Sequence, residues 1–471
     1  IELRSLDRCL AMELVVVSNR VELPADGNQA SAGGLSVGLK DALNEAGGIW
    51  FGWSGKICRQ NTRPEIQNTQ KGKINYETID LTEEDYDLFY RQYSNATLWP
   101  LFHFRLDLAV FSEDSYLGYR RVNKNFAAIL SSTLQTDDIV WVHDYHFIPL
   151  ASDLRKERCT QKLGYFQHVP WPPKELLQAL PNHRELIKSL LEYDVIGFQT
   201  RDDVRRFMDY IVNEFGGSLD PAGFVYADQK RAIVRHFPIS IDFAKFRKVA
   251  KNSEKSLPTL RLVETKGTSK LILGVDRLDY SKGIINRLEA YDRLLYKHPE
   301  HKRSSTFMQI SPPTREGVQH YKDLRNEIER KAGHINGLNS DFDWTAVRYL
   351  NKGYPREILA GFYRNSRVAF ITPLRDGMNL VAKEFVAAQP ANNPGVLILS
   401  RFAGAAAELD GALLVNPYDP DEMCDTLNIA LKMSLEERVQ RWALMYQQIE
   451  YSNLEIWWRR FVDVLNQVQV K

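Results

Sequence analysis

Residues 271–283 read LILGVDRLDYSKG, and this stretch decides the fold class of the chain. Its apolar start is typical of a buried strand, and the polar residues after it indicate a turn into a helix. Arg277 and Lys282 supply two cations at the carboxyl end of that strand, and Gly283 lets the backbone approach a ligand. Open parallel sheets bind ligands at this end of their strands, so the stretch predicts an α/β fold with an anion site.

A second stretch, residues 376–384 (DGMNLVAKE), predicts a loop that opens a helix. Amides at a helix start suit a diphosphate, and the carboxylate of Glu384 suits a ribose diol, so together the stretches indicate a nucleotide-sugar site. Each stretch also has an ordinary interpretation. The cations of the first could pair with Asp276 and Asp279, and Glu384 could be an exposed acid on a helix.

Short apolar runs alternate with helical patterns along the chain, which predicts parallel sheets covered by helices on both faces. The runs comprise residues 14–17, 139–142, 163–166, 195–198, 271–275, 305–310, 368–371 and 396–399.

From this alternation we expect two Rossmann-like domains that face each other across a cleft, residues 1–245 and 246–450. The boundary is placed just before the Lys/Ser-rich stretch 248–256. Residues 451–471 carry an apolar stripe at helical spacing, so a C-terminal helix is predicted to cross back to the first domain.

The bulk composition narrows the function classes. The 471 residues include 61 Lys and Arg against 60 Asp and Glu, so no nucleic-acid partner is expected. We find no apolar run of about 18 residues and no signal peptide, so we expect no membrane association. The four cysteines are scattered without a CxxC pair, which favours reduced thiols and a cytoplasmic location.

Further polar residues follow other apolar runs. Gly33 and Gly34 permit close approach to a phosphate but do not fit GxGxxG, which argues against a nicotinamide-dependent enzyme. His143 and His146 have metal-binding spacing, although no third ligand is evident nearby. His168 ends another apolar run and, taken singly, is interpreted as a satisfied core histidine rather than a catalytic one.

Two further polar patterns have ordinary interpretations. Asp144 could be a structural residue that caps the next helix. Residues 341–345 (DFDWT) match the DxDxT signature of aspartyl phosphatases, but loop composition rather than an apolar strand precedes them. We interpret this match as accidental.

Taken together, these motifs resemble those of the trehalose-6-phosphate synthases, a family of retaining glycosyltransferases with the GT-B fold. The resemblance extends from about residue 14 to about residue 467. It rests on residues 16–20 (VVSNR), 31–35 (SAGGL), 143–146 (HDYH), 277–283 (RLDYSKG) and 372–384 (TPLRDGMNLVAKE). One departure is VPW at residues 169–171, where the family commonly has Ile-Pro-Phe.

The resemblance implies a donor site for UDP-glucose or another nucleotide-glucose. Arg277 and Lys282 would bind the diphosphate, Glu384 the ribose and Tyr354 the base. Gly33 and Gly34 would approach the donor as well. The sugar and phosphates would be held by Asp376, Gly377, Met378, Asn379, Leu380 and Val381.

The resemblance also implies an acceptor site for glucose 6-phosphate. Arg20 and Arg315 would bind the phosphate, beside Tyr90 and Trp99, with Trp53 a weaker candidate. Asp144 and His168 would contact sugar hydroxyls near the reacting centre, so the implied catalytic residues are Arg277, Lys282, Asp144 and His168. Transfer by front-face attack needs neither a metal nor a cofactor, since the nucleotide sugar is a substrate.

Several alternatives stay open at this point. A related synthase could use another acceptor, as in glucosylglycerol-phosphate synthases or cyclitol-coupling enzymes. A non-catalytic sugar-phosphate sensor would be expected to lose Arg277, Lys282 or Glu384, all of which are present. A metal-dependent enzyme built on His143 and His146 is a further alternative. The donor base is open, and the resemblance implies a homo-oligomer, a dimer or tetramer.

Overall fold

The described part of the chain contains two β-sheets. The structure is a computed structural model, and it describes residues 13–23, 34–58, 65–221, 223–314 and 319–468. The chain divides into two compact units. The first unit ends at Pro238 and resumes at Trp457, and the second runs from Ile239 to Ile456. The boundary predicted from the sequence, near residue 245, lies a few residues beyond this one.

The first unit contains a ten-stranded sheet in the order β3-β4-β2-β1-β5-β6-β7-β10-β9-β8. Its strands are β1 (Leu14–Arg20), β2 (Gly48–Cys58), β3 (Gln67–Lys71), β4 (Ile74–Thr82), β5 (Ile139–His143), β6 (Lys162–Phe166), β7 (Val195–Phe198), β8 (Ser218–Leu219), β9 (Phe224–Ala227) and β10 (Lys230–His236). Strands β4 to β10 in that order pair in parallel, and β3, β9 and β8 pair antiparallel at the edges. The predicted apolar runs form the buried centre of this sheet.

Eight helices belong to the described part of the first unit before residue 238. They are α1 (Gly34–Ala46), α2 (Glu83–Asp85), α3 (Trp99–Phe102), α4 (Glu113–Ser131), α5 (Leu150–Lys156), α6 (Lys174–Leu177), α7 (His183–Leu190) and α8 (Arg201–Phe215). A π-helical stretch, Tyr86–Leu98, connects α2 to α3. Thr200 caps the start of α8, and Gly216 ends it with φ of 62°, the left-handed conformation that glycine adopts without strain.

The second unit contains a six-stranded, fully parallel sheet in the order β13-β12-β11-β14-β15-β16. Its strands are β11 (Lys270–Val275), β12 (Ser305–Ile310), β13 (Val347–Leu350), β14 (Val368–Ile371), β15 (Val396–Ser400) and β16 (Leu413–Val415). The predicted apolar runs of the second half all lie in this sheet. The predicted α/β class, with two parallel-dominated sheets, is therefore confirmed.

The helices of the second unit are α9 (Phe243–Ser253), α10 (Leu257–Lys266), α11 (Ile284–Lys297), α12 (Gln319–Asn339), α13 (Arg356–Arg364), α14 (Leu380–Ala388), α15 (Pro420–Lys432) and α16 (Leu435–Tyr451). Most of the Lys/Ser-rich stretch 248–256, beside which the sequence analysis placed the domain boundary, lies in α9. That helix forms because Phe243, Phe246 and Ala250 bury one of its faces.

Helix α17 (Leu454–Gln467) follows α16, and from Trp457 onward it belongs to the first unit. Phe461 stacks on Trp141 of β5 with ring centroids 4.8 Å apart, and Trp457 lies 5.0 Å from the same ring. A Cβ added at Gly164 of β6 would lie 2.6 Å from the Phe461 ring. The helix can therefore pack this closely on the strand only because residue 164 is glycine. In the part of the chain that the structure describes, no helix has the length and apolar character of a membrane span.

Candidate functional site

In the second unit, the two stretches singled out in the sequence meet at the carboxyl ends of β11 and β14. Lys282 Nζ donates to Asp376 Oδ2 at 2.5 Å, and Asn379 Nδ2 donates to the same oxygen at 3.0 Å. The Arg277 side chain is exposed at this edge, whereas Lys282 is buried. A fixed cation thus lies against the loop that opens α14.

Gly283 makes this close approach sterically feasible. Its φ is 63°, and a Cβ added there would lie 2.3 Å from the carbonyl oxygen of Thr372, just after β14. Residues with a side chain are strained at this φ and would also clash, so the position requires glycine. The turn after β11 can therefore pack directly on the end of β14.

Arg287, in the first turn of α11, is a residue that the sequence analysis missed. It is fully buried and donates to Asp276 Oδ2 at 2.5 Å, to the Phe370 carbonyl at 2.8 Å and to the Lys282 carbonyl at 2.9 Å. Asp276 therefore pairs with Arg287. The ordinary interpretation had paired it with Arg277 or Lys282. The sequence signal that could have revealed Arg287 is a charged residue at a position of α11 that the helical pattern assigns to the buried face.

Burial raises the pKa of Asp276, and the positive charges of Arg287 and Lys282 oppose that rise. Gly274 of β11 leaves space for the arginine, because a Cβ there would lie 2.8 Å from Arg287 Nη1. One guanidinium thus connects the end of β11, the turn that carries Lys282 and the end of β14. Its effect is to hold Lys282 in a defined position.

The loop before α14 is closely constrained. Asn379 has φ of 77° and caps the helix by accepting from the Ala382 amide at 3.1 Å. A Cβ at Gly404 would lie 1.9 Å from the Gly377 carbonyl oxygen, so the loop packs on backbone alone. The helix begins at Leu380, which leaves the amides of its first turn at the same edge as Lys282.

Glu384 lies one turn into α14 and is not the exposed acid of the ordinary interpretation, since its side chain is 13% exposed. Arg356 Nε donates to its Oε1 at 3.2 Å. Burial raises the pKa of Glu384, and the Arg356 charge opposes that rise. Tyr354, two residues before Arg356, packs edge-on against Phe362 with centroids 5.6 Å apart.

In the first unit, Asp144 and His168 lie together at the carboxyl ends of β5 and β6. The His168 amide donates to Asp144 Oδ1 at 3.2 Å, and His168 Nε2 lies 2.9 Å from His143 Nδ1. Asp144 has φ of 73° and ψ of 168°, and its side chain does not cap the turn that follows. The structural-cap interpretation of Asp144 is therefore wrong.

Both histidines of this pair are held neutral. Burial lowers the pKa of His168 to about 3, and burial together with His168 lowers that of His143 well below its usual value. Gln199 Nε2 donates to His168 Nδ1 at 3.4 Å, so the proton of the neutral His168 ring lies on Nε2 and is donated to His143 Nδ1. The two neutral rings thus form a hydrogen-bonded pair at this end of the sheet.

An aromatic cluster adjoins the end of β1. Tyr90 lies 5.7 Å from Trp53, 5.5 Å from Tyr86 and 6.0 Å from His146, measured between ring centroids. Trp99 joins through Tyr145, 5.9 Å away, and Tyr145 stacks on His146. Trp53 and Trp99 are 5% and 4% exposed, so they form the buried part of the cluster.

Arg20 ends β1 beside this cluster and is exposed. A Cβ at Gly55 would lie 2.9 Å from Arg20 Nε, so the guanidinium lies directly over that glycine. Its positive charge also lowers the pKa of the nearby Tyr86, against the larger raising effect of burial. Gly34 is the first residue of α1, whereas Gly33 and Arg315 lie outside the described residues.

Other sequence patterns are not part of either constellation. Asp341 and Asp343 are exposed and pair with Arg303, as expected for an accidental DxDxT match. Among the described residues, the group with metal-binding spacing is His298, Cys424 and Asp425, and it does not include His143 or His146.

The chain is similar to known glycosyltransferases along most of its length. Residues 12–467 match the family described as glycosyltransferase family 20. The trehalose-6-phosphate synthase of Enterobacter sp. (strain 638) is 44% identical over 452 residues, which cover 95% of this chain and 94% of the relative. That of Escherichia coli O1:K1 / APEC is 45% identical over 458 residues, 97% of this chain and 95% of the relative.

Solved structures are equally similar. An α,α-trehalose-phosphate synthase (UDP-forming) from Burkholderia xenovorans, in complex with glucose-6-phosphate, has 45% identity and a TM-score of 0.93, covering 96% of this chain and 100% of that chain. The E. coli protein bound with UDP-2-fluoro glucose has 43% identity and a TM-score of 0.93, covering 98% and 100%. These matches confirm the GT-B class and the resemblance found in the sequence, and the chain belongs to glycosyltransferase family 20, alongside the trehalose-6-phosphate synthases.

Proposed function

We propose that this chain is a glycosyltransferase that transfers glucose from UDP-glucose to glucose 6-phosphate, giving α,α-trehalose 6-phosphate and UDP. The observation that carries the proposal is the buried Lys282, held by Asp376 and Arg287 beside the amides that open α14. A preplaced cation and helix-start amides suit a departing diphosphate. Membership of glycosyltransferase family 20 supports the same reaction.

In this proposal the second unit binds the donor. Lys282 and the exposed Arg277 neutralise the diphosphate, and the amides of residues 376–381 contact phosphate and sugar. Glu384 accepts hydrogen bonds from the ribose, and Arg356 orients its carboxylate at 3.2 Å. Burial disfavours the charged form of Glu384, and the positive charge of Arg356 favours it. Arg356 therefore helps to keep Glu384 ionised, so that its carboxylate can accept hydrogen bonds. Tyr354 contacts the base.

The first unit binds the acceptor. Arg20 contacts the phosphate together with Arg315, next to the aromatic cluster of Trp53, Tyr90 and Trp99. Asp144 and His168 contact sugar hydroxyls, since a fixed carboxylate accepts from them and a neutral imidazole can donate or accept. Their mutual contact through the His168 amide, at 3.2 Å, supports a shared role.

The reaction breaks the bond between the glucosyl C1 and the β-phosphate oxygen of UDP-glucose. A hydroxyl oxygen of the acceptor forms the new bond to C1 on the same face, so configuration is retained. The departing phosphate oxygen takes the proton of that hydroxyl. Positive charge at Arg277 and Lys282 stabilises the diphosphate as its charge grows, and one such contact contributes about 3 to 4 kcal/mol in a dry site.

A synthase with another acceptor shares this donor chemistry. Glucose 6-phosphate is favoured because the similar Burkholderia xenovorans structure contains it. We also propose small-molecule partners only, a homo-oligomer of two or four copies as the resemblance implies, and a cytoplasmic location. The free thiols of Cys58, Cys159 and Cys424 support the location.

The proposal is tested by measuring UDP release from UDP-glucose with and without glucose 6-phosphate, and by identifying the product by mass and by digestion. We expect release that depends on the acceptor and an α,α-linked disaccharide phosphate. Lys282→Ala should reduce kcat by about a hundredfold or more, because the diphosphate loses a fixed cation. Lys297→Ala, at the other end of α11, is the matched control and should leave kcat unchanged.

Release with a different acceptor but not with glucose 6-phosphate would reassign the acceptor. No release with any nucleotide-glucose would contradict an enzymatic function and favour a sugar-phosphate sensor. Equal turnover of the Lys282 and Lys297 variants would contradict the donor-site assignment.

A further inference from the structure

The amino ends of the strands in the second unit carry a group of cations far from the candidate donor site. Lys270 begins β11, Arg367 directly precedes β14 and Gly395 directly precedes β15, three neighbouring strands. A cavity of about 260 Å³ lies beneath them and is also lined by Lys266, Arg364 and Asn393. β11 has six residues, so about 20 Å of strand separates this edge from the edge that carries Lys282.

Little negative charge balances these cations. Arg364 pairs with Glu254, but within the described ranges we find no carboxylate that pairs with Lys266, Lys270 or Arg367. Lys270 Nζ instead donates to the Leu431 carbonyl at 2.8 Å. The cavity is therefore lined by cations whose charge the described part of the chain leaves largely uncompensated.

A further arginine stands behind the cavity wall. Arg438 is 5% exposed and donates through Nη1 to Asn393 Oδ1 at 2.8 Å. Its Nε is buried and, in the described structure, has no hydrogen-bond partner. Burying a charged group without a counter-charge costs free energy, which a bound anion would offset.

The electrostatics of the group agree with this arrangement. Burial and, to a smaller extent, the Arg367 charge together lower the pKa of Arg438 to about 10. Burial and Arg367 also lower the pKa values of Lys266 and Lys270. Arg367 thus destabilises the charged forms of Lys266, Lys270 and Arg438, and a shared anion would stabilise them.

We propose that this cavity binds a compact anion with at least two negative charges, such as a diphosphate or a small phosphorylated metabolite. The cations that line it can donate charge-assisted hydrogen bonds to phosphoryl oxygens, and Arg367 can do so in a bidentate manner. The site is separate from the proposed donor and acceptor sites and does not depend on the proposed reaction.

Isothermal titration calorimetry of the full chain tests the proposal, with inorganic pyrophosphate and 3-phosphoglycerate as separate probes. Saturating UDP is present throughout, so that the proposed donor site is occupied. We expect one additional site for at least one probe, and the tighter probe distinguishes an inorganic diphosphate from a phosphorylated organic acid. Sodium chloride at equal ionic strength is the control for non-specific screening.

Arg367→Gln and Lys266→Gln should each weaken this binding about tenfold or more. Arg261→Gln, an exposed arginine on the neighbouring helix α10, should leave it unchanged. Without ligand, Arg367→Gln should raise the thermal midpoint, because it removes a half-buried charge next to like charges. Absence of binding by both probes, or equal affinity of the Arg367 and Arg261 variants, would overturn the proposal.

Discussion

Asp144 holds a backbone conformation that is almost confined to glycine, with φ of 73° and ψ of 168°. Such a conformation costs about 1 to 3 kcal/mol in a residue with a side chain. Hydrogen bonds on both sides enforce it, because the Asp144 amide donates to the Phe166 carbonyl at 2.8 Å and the Phe147 amide donates to the Asp144 carbonyl at 3.1 Å. This backbone conformation places the carboxylate where it accepts from the His168 amide at 3.2 Å.

An alanine variant is usually more stable than the glycine variant at the same position, and at Asp144 we predict the reverse. Asp144→Gly should be about 1 to 2 kcal/mol more stable than Asp144→Ala, because only alanine keeps the Cβ that is strained here. Both variants lack the carboxylate, so both should lose transfer activity to a similar extent. Denaturant unfolding of the two variants measures the difference. An alanine variant as stable as the glycine variant would contradict the strain.

At the scale of the element, helix α11 positions the candidate donor site through Arg287. Its first turn brings one guanidinium to the Asp276 carboxylate and to the Lys282 and Phe370 carbonyls. The turn that carries Lys282 and the end of strand β14 are therefore fixed to the same side chain. The element contributes position rather than direct contact with a substrate.

Arg287→Met should lower the free energy of unfolding by about 3 to 5 kcal/mol, because Asp276 is left buried without its partner. Displacement of Lys282 should also lower kcat, and Arg287→Lys should not restore it, since an ammonium cannot span the same three acceptors. Arg293 on the same helix is the control, because its pairs with Glu289 and Asp421 are half-exposed to solvent, and Arg293→Met should change stability by less than about 1 kcal/mol. Denaturant unfolding and steady-state kinetics measure both effects.

Helix α17 depends on the absence of side chains from the strands beneath it. A Cβ at Gly164 would lie 2.6 Å from the Phe461 ring and 2.9 Å from Leu465. Gly164→Ala should therefore cost about 1 to 3 kcal/mol. Gly333→Ala, in α12 with nothing within 4 Å of the added Cβ, should instead stabilise by up to about 1 kcal/mol. Thermal and denaturant unfolding measure whether each variant is less or more stable than the unsubstituted protein. Equal changes in stability for the two variants would contradict the packing described at Gly164.

At the scale of the whole molecule, the neutral histidines His143 and His168 connect the candidate site to the pH dependence of stability. The folded-state pKa values of His143 and His168 lie below the ordinary value of about 6.5. As pH falls below about 6.5, the unfolded chain therefore binds protons that the folded chain does not. Stability is present above that pH and is lost as pH decreases.

His168→Gln should reduce this loss by about 1.4 kcal/mol per pH unit between pH 6 and pH 5, because one fewer group binds a proton only in the unfolded chain. Free energies of unfolding measured at both pH values give this difference in slope. The exposed His320 is the control, and His320→Gln should follow the unsubstituted protein. An unchanged slope for the His168 variant would show that this histidine is protonated in the folded state.

Local patterns predicted more of the fold than of the site. The apolar runs of β5, β6, β11 and β14 are visible because burial on both faces of a parallel strand demands consecutive apolar residues. Arg287 and Arg356 were missed because an ion pair is a property of position in space. Arg356 and Glu384 lie 28 residues apart along the chain, and Lys282 and Asp376 lie 94 apart.

The sequence by itself determined the fold class, the family and the two stretches that carry the candidate donor contacts. Hydrophobic periodicity and turn residues act over short distances along the chain, so they can be interpreted without coordinates. Only the tertiary structure decided that Lys282 faces Asp376, that Arg287 connects the turn after β11 to the end of β14, and that Asp144 is strained. Those features arise where distant segments pack together, because burial and hydrogen bonding there outweigh local preference.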